Sequence, residues 1–210
     1  MALHVLLVHG MARTPLSLRR LAGELRDTGY GVHVVGYVAA LESVDRIATR
    51  LHSRLEQLAQ RDEPYVVLGH SLGGILLRLA LARSPALPRL PQHLIMLAPP
   101  NQSPRLARRF RGYWPYRAIN GQAGQLLADP GFYGALPAVQ VPYTIIAGTG
   151  GSRGQWSPFG NELNDGIVAV SETACAPDDV VIEIPVWHTY MMNDPRVRGI
   201  IQDLLERAAS

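Results

Sequence analysis

A serine lies between two glycines directly after an apolar run, in Gly69-His70-Ser71-Leu72-Gly73. In a nucleophile elbow, a sharp strand-to-helix turn exposes the serine hydroxyl. Glycines two residues before and after it avoid collisions with the crossing backbone. Gly69 and Gly73 occupy those positions, so the pattern predicts Ser71 as a nucleophile. An ordinary turn with a bystander serine is the alternative, and the rest of the chain must decide between them.

A serine at its ordinary pKa needs a histidine to take its proton and a carboxylate to orient that histidine. Among seven histidines, His188 follows the last predicted strand and precedes the last predicted helix. Loops that follow parallel strands gather at one edge of a sheet. His188 is therefore the predicted general base, the alternative being an ordinary loop histidine.

The carboxylate should lie on another loop at the same edge. Asp165 is the first choice, because its loop follows the predicted strand from Tyr143 to Ala147. Asp-Gly is also a common turn signal, so a purely structural aspartate is the alternative. Asp178 and Asp179 are rivals, but they precede the last strand and are expected at the opposite edge. With Asp165, the order along the chain is serine, aspartate, histidine.

An ester's tetrahedral intermediate carries negative charge on oxygen, which two preorganised backbone N–H groups can stabilise. Leu72 follows the nucleophile and offers one such group. Met11, in the loop after the first predicted strand, is the expected second donor. Gly10 lets that loop turn, whereas His9 and His70 are predicted to support the loop and the elbow.

Six apolar runs alternate with helix-like segments, which predicts parallel strands with crossover helices on both faces. Helices are predicted over Leu16–Asp27, Val44–Gln60 and Leu72–Leu81, and a last helix begins at Pro195 with Asp194 as its cap. The predicted strands are Leu3–Val8, Val32–Val35, Tyr65–Leu68, His93–Leu97, Tyr143–Ala147 and Val180–Ile184.

One segment interrupts this alternation, because roughly forty residues separate the fourth and fifth strands where a simple crossover needs fewer. We expect a single domain over residues 1–210 with a cap or lid insertion at about 100–141. Residues 105–117 mix arginines with aromatic side chains. They predict a lid or acyl-chain platform that could meet a membrane surface or an anionic head group. A crossover helix with its aromatics packed on the core is the alternative.

Composition excludes several other classes of protein. Hydrophobic residues make up 47% and charged residues 18%, with a formal net charge of +3. No nucleic-acid-binding module is recognisable, and neither a metal nor an organic cofactor is predicted. Cys175 is the one cysteine, so no internal disulfide can form. Together with an N-terminal run that is predicted to be a core strand rather than a signal peptide, this favours a cytoplasmic location.

These motifs together resemble those of α/β-hydrolases of the bacterial lipase and esterase kind. The shared residues are Val8-His9-Gly10, the elbow from Gly69 to Gly74, the acid motif from Asn164 to Val168, and His188. The resemblance implies an α/β-hydrolase fold with a mostly parallel sheet of about six strands and a small cap.

The same resemblance implies hydrolysis of a small-molecule carboxylic ester or lipid through an acyl-serine. Ser71 would be the nucleophile, His188 the base and then the acid, and Asp165 its orienting partner. Met11 and Leu72 would be the oxyanion donors. A thioesterase, amidase or acyltransferase would use the same residues. A non-catalytic binding protein with a hydrolase fold is the alternative from another class.

Overall fold

Six strands form one parallel sheet in the computed structural model of the protein, which describes residues 3–83 and 85–209. Every neighbouring pair is parallel, in the order β2-β1-β3-β4-β5-β6. After β1, the chain therefore adds β2 on one side of β1. It then crosses to the other side, where it adds β3 to β6 in order. The strands are β1 (His4–Val8), β2 (Gly31–Val35), β3 (Tyr65–His70), β4 (His93–Leu97), β5 (Tyr143–Gly148) and β6 (Val181–Ile184).

Both faces of the sheet are buried, which explains why the central strands are apolar apart from one histidine at an end of each. In β1, Leu6 and Val8 face one hydrophobic cluster, and Val5 and Leu7 face the other. All four side chains are almost completely excluded from water.

Seven α-helices cover the sheet within the described residues. They are α1 (Arg19–Asp27), α2 (Val44–Ala59), α3 (Leu72–Leu81), α4 (Arg105–Phe110), α5 (Trp114–Leu127), α6 (Pro130–Gly134) and α7 (Pro195–Ala209). Side chains of α2 and α3 join the cluster around Leu6, and those of α1 and α7 join the cluster around Val5. The predicted α/β fold, with helices on both faces of a parallel sheet, is confirmed.

The sequence placed most elements within one or two residues of their observed bounds. The helix expected over Leu16–Asp27 is instead divided, because a 3₁₀ turn at Pro15–Leu18 precedes α1. Such turns are frequent at the start of an α-helix. At the last helix, Asp194 acts as expected, since its carboxylate accepts the Arg196 N–H at 2.9 Å.

The segment between β4 and β5 folds into α4, α5 and α6. Its longest helix, α5, breaks at Gly121, where φ is 53°. A Cβ on that residue would lie 2.8 Å from the Ala40 carbonyl oxygen, so the helix bends where it meets the loop after β2. In the described part of the chain, no helix combines the length and apolar content needed to cross a bilayer.

Candidate active site

A cavity of about 400 Å³ lies at the carboxyl edge of the sheet. The strand order reverses around β1, so the loops that follow β1 and β3 separate there and leave a crevice, as open α/β sheets do. Met11, Ser71 and His188 all line this cavity. Three loops that are far apart in sequence therefore meet at one place.

Ser71 occupies a strained turn between β3 and α3. Its φ is 54° and its ψ is −122°, a conformation that a residue with a side chain rarely adopts. The surrounding backbone holds it: the Ser71 N–H donates to the Leu97 carbonyl at 2.8 Å, and the Gly74 N–H donates to the Ser71 carbonyl at 3.0 Å. The strain directs the side chain out of the helix and toward the cavity.

The two glycines of the elbow are required by close backbone contacts. A Cβ at Gly69 would lie 2.4 Å from the Gly74 nitrogen, and one at Gly73 would lie 2.5 Å from the Val8 carbonyl oxygen. Neither contact involves a side chain that could move aside. The start of α3 therefore packs directly on the ends of β3 and β1.

Asp165 and His188 form a close pair at the same edge. His188 Nδ1 lies 2.6 Å from Asp165 Oδ2. A carboxylate only accepts hydrogen bonds, so Nδ1 carries the proton and Nε2 keeps its lone pair. The other carboxylate oxygen accepts N–H groups from Ile167 at 2.9 Å and Val168 at 2.7 Å. Asp165 is 1% exposed, and both of its oxygens are satisfied.

Ser71 and His188 line the same cavity, but the Ser71 hydroxyl makes no hydrogen bond with the residues that the structure describes. The hydrogen bond between nucleophile and base often tightens only when substrate binds. The structure therefore places Ser71 at the same cavity as His188, but it does not contain the Ser71–His188 hydrogen bond.

His70 is buried next to His188 and contacts its backbone. Its Nε2 donates to the His188 carbonyl at 3.1 Å. Burial lowers the pKa of His70 well below its usual value, and the neighbouring His188 adds to the effect. A neutral His70 thus holds the loop that carries His188.

The loop after β1 is fastened through His9, which is fully buried. Its Nδ1 donates to the Gly10 carbonyl at 2.8 Å, and its Nε2 accepts the Tyr37 N–H at 3.2 Å. Burial lowers the pKa of His9, which suits this neutral arrangement. Gly10 packs on the elbow, where a Cβ would lie 3.1 Å from the Ser71 Cβ.

The two predicted oxyanion donors come from the loops that these contacts fix. Leu72 is the first residue of α3, where backbone N–H groups lack partners within the helix. Met11 lines the cavity, and Ala12 after it has a φ of 54°. The two predicted donors thus lie on two different segments next to Ser71 or the cavity it lines.

The rival carboxylate lies at the other edge of the sheet. Asp179 accepts a hydrogen bond from the Tyr143 hydroxyl, and Tyr143 is the first residue of β5. Its second oxygen accepts the Cys175 N–H at 2.6 Å. Asp165, in contrast, packs against Gly148 at the other end of β5.

Arg105, Glu162 and Glu172, whose contacts the sequence did not indicate, link α4 to the loop that carries Asp165. Arg105 of α4 donates from Nε to Glu172 at 2.9 Å and pairs with Glu162 at 2.6 Å. Glu172 is buried and also accepts the Ala169 N–H at 2.9 Å.

The sequence also did not indicate Tyr37, which follows β2 and whose hydroxyl donates to the His9 carbonyl at 2.8 Å. Its position after a strand at the carboxyl edge is the signal that could have found it.

The segment 105–117 contains both side chains that line the cavity and side chains that face solvent. Leu106, Phe110 and Tyr116 line the cavity, so part of the segment packs over the site. Tyr113 and Trp114 are 60% and 75% exposed.

Among the described residues, no three His, Cys, Asp or Glu side chains are grouped as metal ligands would be.

Comparisons with known proteins agree with this architecture. A model of the alpha/beta hydrolase family matches residues 5–210. The mature lipase BlEst2 of Bacillus licheniformis superposes with a TM-score of 0.76 at 18% identity, over 96% of this chain and 91% of that chain. The metagenomic carboxyl esterase MGS0156 gives a TM-score of 0.70 at 17% identity, over 98% and 76%.

A thioesterase is also among the similar structures. The NocB thioesterase domain from the nocardicin cluster gives a TM-score of 0.61 at 19% identity, over 99% of this chain and 94% of that chain. At these identities the similarities show the fold. No curated protein matches the sequence.

Proposed function

This chain belongs to the alpha/beta hydrolase family, and from that premise we propose that it hydrolyses carboxylic esters through an acyl-serine intermediate. The observation that carries the proposal is the 2.6 Å contact between His188 Nδ1 and Asp165 Oδ2 beside the strained Ser71 elbow. It leaves Nε2 of His188 as the base that a serine nucleophile needs.

The first half of the reaction forms the acyl-enzyme. Ser71 Oγ attacks the ester carbonyl carbon while His188 Nε2 takes the hydroxyl proton. Negative charge develops on the carbonyl oxygen and is stabilised by the N–H groups of Leu72 and Met11. The bond to the alcohol oxygen then breaks, and His188 gives its proton to that oxygen. Asp165 stabilises the imidazolium that exists between these steps.

The second half returns the enzyme to its starting state. A water molecule gives a proton to His188 and attacks the acyl carbon. When the tetrahedral intermediate collapses, the bond to Ser71 Oγ breaks and His188 returns the proton to that oxygen. The products are a carboxylic acid and an alcohol, and no cofactor is required.

The cavity supports an apolar acyl group as the bound half of the substrate. Apolar side chains from the segment between β4 and β5 form much of its wall, including Leu106, Phe110 and Leu127. We therefore propose that this segment, within a single domain, acts as an acyl-binding cap. Apolar contact with little hydrogen bonding distinguishes chain length only gradually.

A fluorophosphonate probe tests the nucleophile. It should label the wild-type protein and fail to label Ser71→Ala, with both proteins folded by circular dichroism. A folded wild-type protein that resists labelling would favour the non-catalytic binding protein. A chain-length series of p-nitrophenyl esters, run beside acyl-CoA thioesters and anilides, then separates esterase, thioesterase and amidase. Added alcohol acceptors separate hydrolysis from acyl transfer.

We also propose that the exposed part of residues 105–117 contacts lipid surfaces. Phe110, Tyr113 and Trp114 are exposed there beside several arginines, and the segment has no acidic residue. Aromatic rings suit the membrane interface, and arginine is attracted to anionic lipid. Wild-type protein should sediment with anionic vesicles more than with zwitterionic ones, and Trp114→Ala should reduce sedimentation.

A further inference from the structure

Arg13 is the only described residue lining the catalytic cavity whose side chain is permanently charged. The remaining walls are apolar, or carry neutral polar groups and the two histidines. A single cation in an otherwise uncharged cavity can determine which ligand binds. Few other groups in this cavity could fix the orientation of a bound ligand.

Arg13 lies on the loop after β1 and lines the same cavity as Ser71 and His188. It follows Met11, a proposed oxyanion donor, and Ala12, whose positive φ turns the chain sharply. The same loop is fastened through His9 to Tyr37 and packs through Gly10 on the elbow. The guanidinium is therefore carried by a backbone that is held in place.

Arg13 is also without a protein partner. Within residues 3–83 and 85–209 it makes no hydrogen bond and no ion pair. Other half-buried arginines are paired: Arg50 bonds Glu42, and Arg105 bonds two glutamates. A partly buried cation loses hydration, and none of the described side chains compensates Arg13 for that loss.

The charge of Arg13 acts within the site. Burial is the main reason that the pKa of His70 is low, His188 is the next, and Arg13 is among the further cationic contributors. An anion bound at Arg13 would therefore sit close to the catalytic centre.

We propose that Arg13 binds an oxyanion group, a carboxylate or a phosphate, of the substrate. The inference rests on the proposed ester hydrolysis and narrows its substrate class to acyl esters or thioesters that carry a negative charge. The planar guanidinium presents a fork of donors that matches both groups in two parallel hydrogen bonds. The anion can belong to the acyl half or to the leaving group.

Isosteric pairs of esters distinguish these two sources. For the leaving group, 4-carboxyphenyl butyrate is compared with 4-carbamoylphenyl butyrate. For the acyl half, phenyl hemiglutarate is compared with phenyl glutaramate. For each pair, the kcat/KM of the anionic ester is divided by that of its neutral isostere. For one of the two pairs, this ratio should be about tenfold higher in the wild type than in Arg13→Gln. Added salt should reduce the wild-type preference.

Two further variants control for charge and for folding. Arg13→Lys keeps the charge and should retain part of the preference. Arg207→Gln removes an exposed arginine on α7, outside the cavity lining, and should keep the full preference. Because each comparison is a ratio within one protein, a general loss of activity cancels. The inference is overturned if the ratio in Arg13→Gln equals that in the wild type for both pairs.

A binding measurement separates this inference from the proposed hydrolysis. Ser71→Ala is titrated by calorimetry with 4-butyramidobenzoate and with its neutral benzamide analogue. Tighter binding of the anion, lost in Ser71→Ala/Arg13→Gln, supports the anion site even if no ester is turned over. Equal binding of both ligands refutes the anion site on the leaving-group side even if Ser71 proves to be the nucleophile. A parallel titration with 5-anilino-5-oxopentanoate and its amide tests the acyl side.

Discussion

Asp165 and His188 are joined twice, once through their side chains and once through their backbones. His188 Nδ1 lies 2.6 Å from Asp165 Oδ2, and the His188 N–H donates to the Asp165 carbonyl at 3.0 Å. The backbone bond fixes how the two loops approach, so the short side-chain contact does not depend on flexible side chains alone. A site arranged in this way is set before substrate arrives, which is what orienting a general base requires.

Asp165→Asn should therefore remove most of the activity while leaving the fold intact. The amide can still accept from Ile167 and Val168, but its NH₂ would face Nδ1 and favour the wrong tautomer of His188. We expect kcat for ester hydrolysis to fall by about 10³- to 10⁴-fold. Steady-state kinetics with p-nitrophenyl butyrate measure the loss.

Asp179→Asn is the matched control, at the opposite edge of the sheet. It weakens bonds with Tyr143 and the Cys175 N–H, so it should lower stability by about 1–3 kcal/mol and keep kcat within about threefold of wild type. If Asp179→Asn lost turnover and Asp165→Asn kept it, the assignment of the acid would be wrong.

Gly73→Ala should unfold or distort the elbow. The added Cβ would meet the backbone oxygens of Val8 and His9 at 2.5 and 2.7 Å, and backbone atoms cannot rotate away. We expect the free energy of unfolding to fall by at least about 2 kcal/mol, measured by urea denaturation.

Gly199→Ala is the control glycine substitution, made where no steric clash is expected and measured by the same urea denaturation. Gly199 lies within α7, and a Cβ there would meet nothing within 4 Å. The substitution should raise stability by about 0.5–1 kcal/mol, because alanine favours the helix. Equal effects of the two substitutions would contradict the packing described for the elbow.

Acidification should destabilise the fold through His70. Its folded-state pKa is depressed, so the neutral form stabilises the native state. That contribution is present above the unfolded pKa of about 6.5 and is lost progressively as the pH falls below it. Between pH 7.5 and 5.5, His70 alone should cost at most about 1.4 kcal/mol of stability, the limit reached when the folded-state imidazole stays neutral.

His70→Gln isolates this contribution. The glutamine amide can still donate to the His188 carbonyl but does not titrate. The variant should start less stable than wild type at pH 7.5 and then lose less stability than wild type on acidification to pH 5.5, by at most about 1.4 kcal/mol. Parallel stability curves for the two proteins would show that folding does not lower the pKa of His70.

The sequence sufficed for the sheet and for the positions of Ser71, Asp165 and His188, for a physical reason. Parallel strands buried on both faces read as apolar runs, and their loops must gather at one edge. What the sequence concealed was the contacts between loops. Nothing local indicates that Arg105 meets Glu172, since the two are brought together only when α4 packs against the segment after Asp165. Arg13 also gave no signal in the sequence, because what distinguishes it is that it forms no hydrogen bond or ion pair with the residues the structure describes.

The contact between Arg105 and Glu172 leads to the final prediction, which concerns the cap. Glu172 accepts from Arg105 Nε and from the Arg105 and Ala169 N–H groups. In Glu172→Gln, the NH₂ group must face one of these donors, and the charge that balances Arg105 is halved. We expect the free energy of unfolding to fall by about 2–4 kcal/mol and hydrogen exchange in α4 to become faster.

Arg20→Gln is the control. It breaks only the exposed pair with Glu24, at 62% and 45% side-chain exposure, and should change stability by less than about 1 kcal/mol. If Glu172→Gln were as mild as Arg20→Gln, the cap would be held by its apolar contacts alone, and residues that line the cavity, such as Leu106, would become the ones to test.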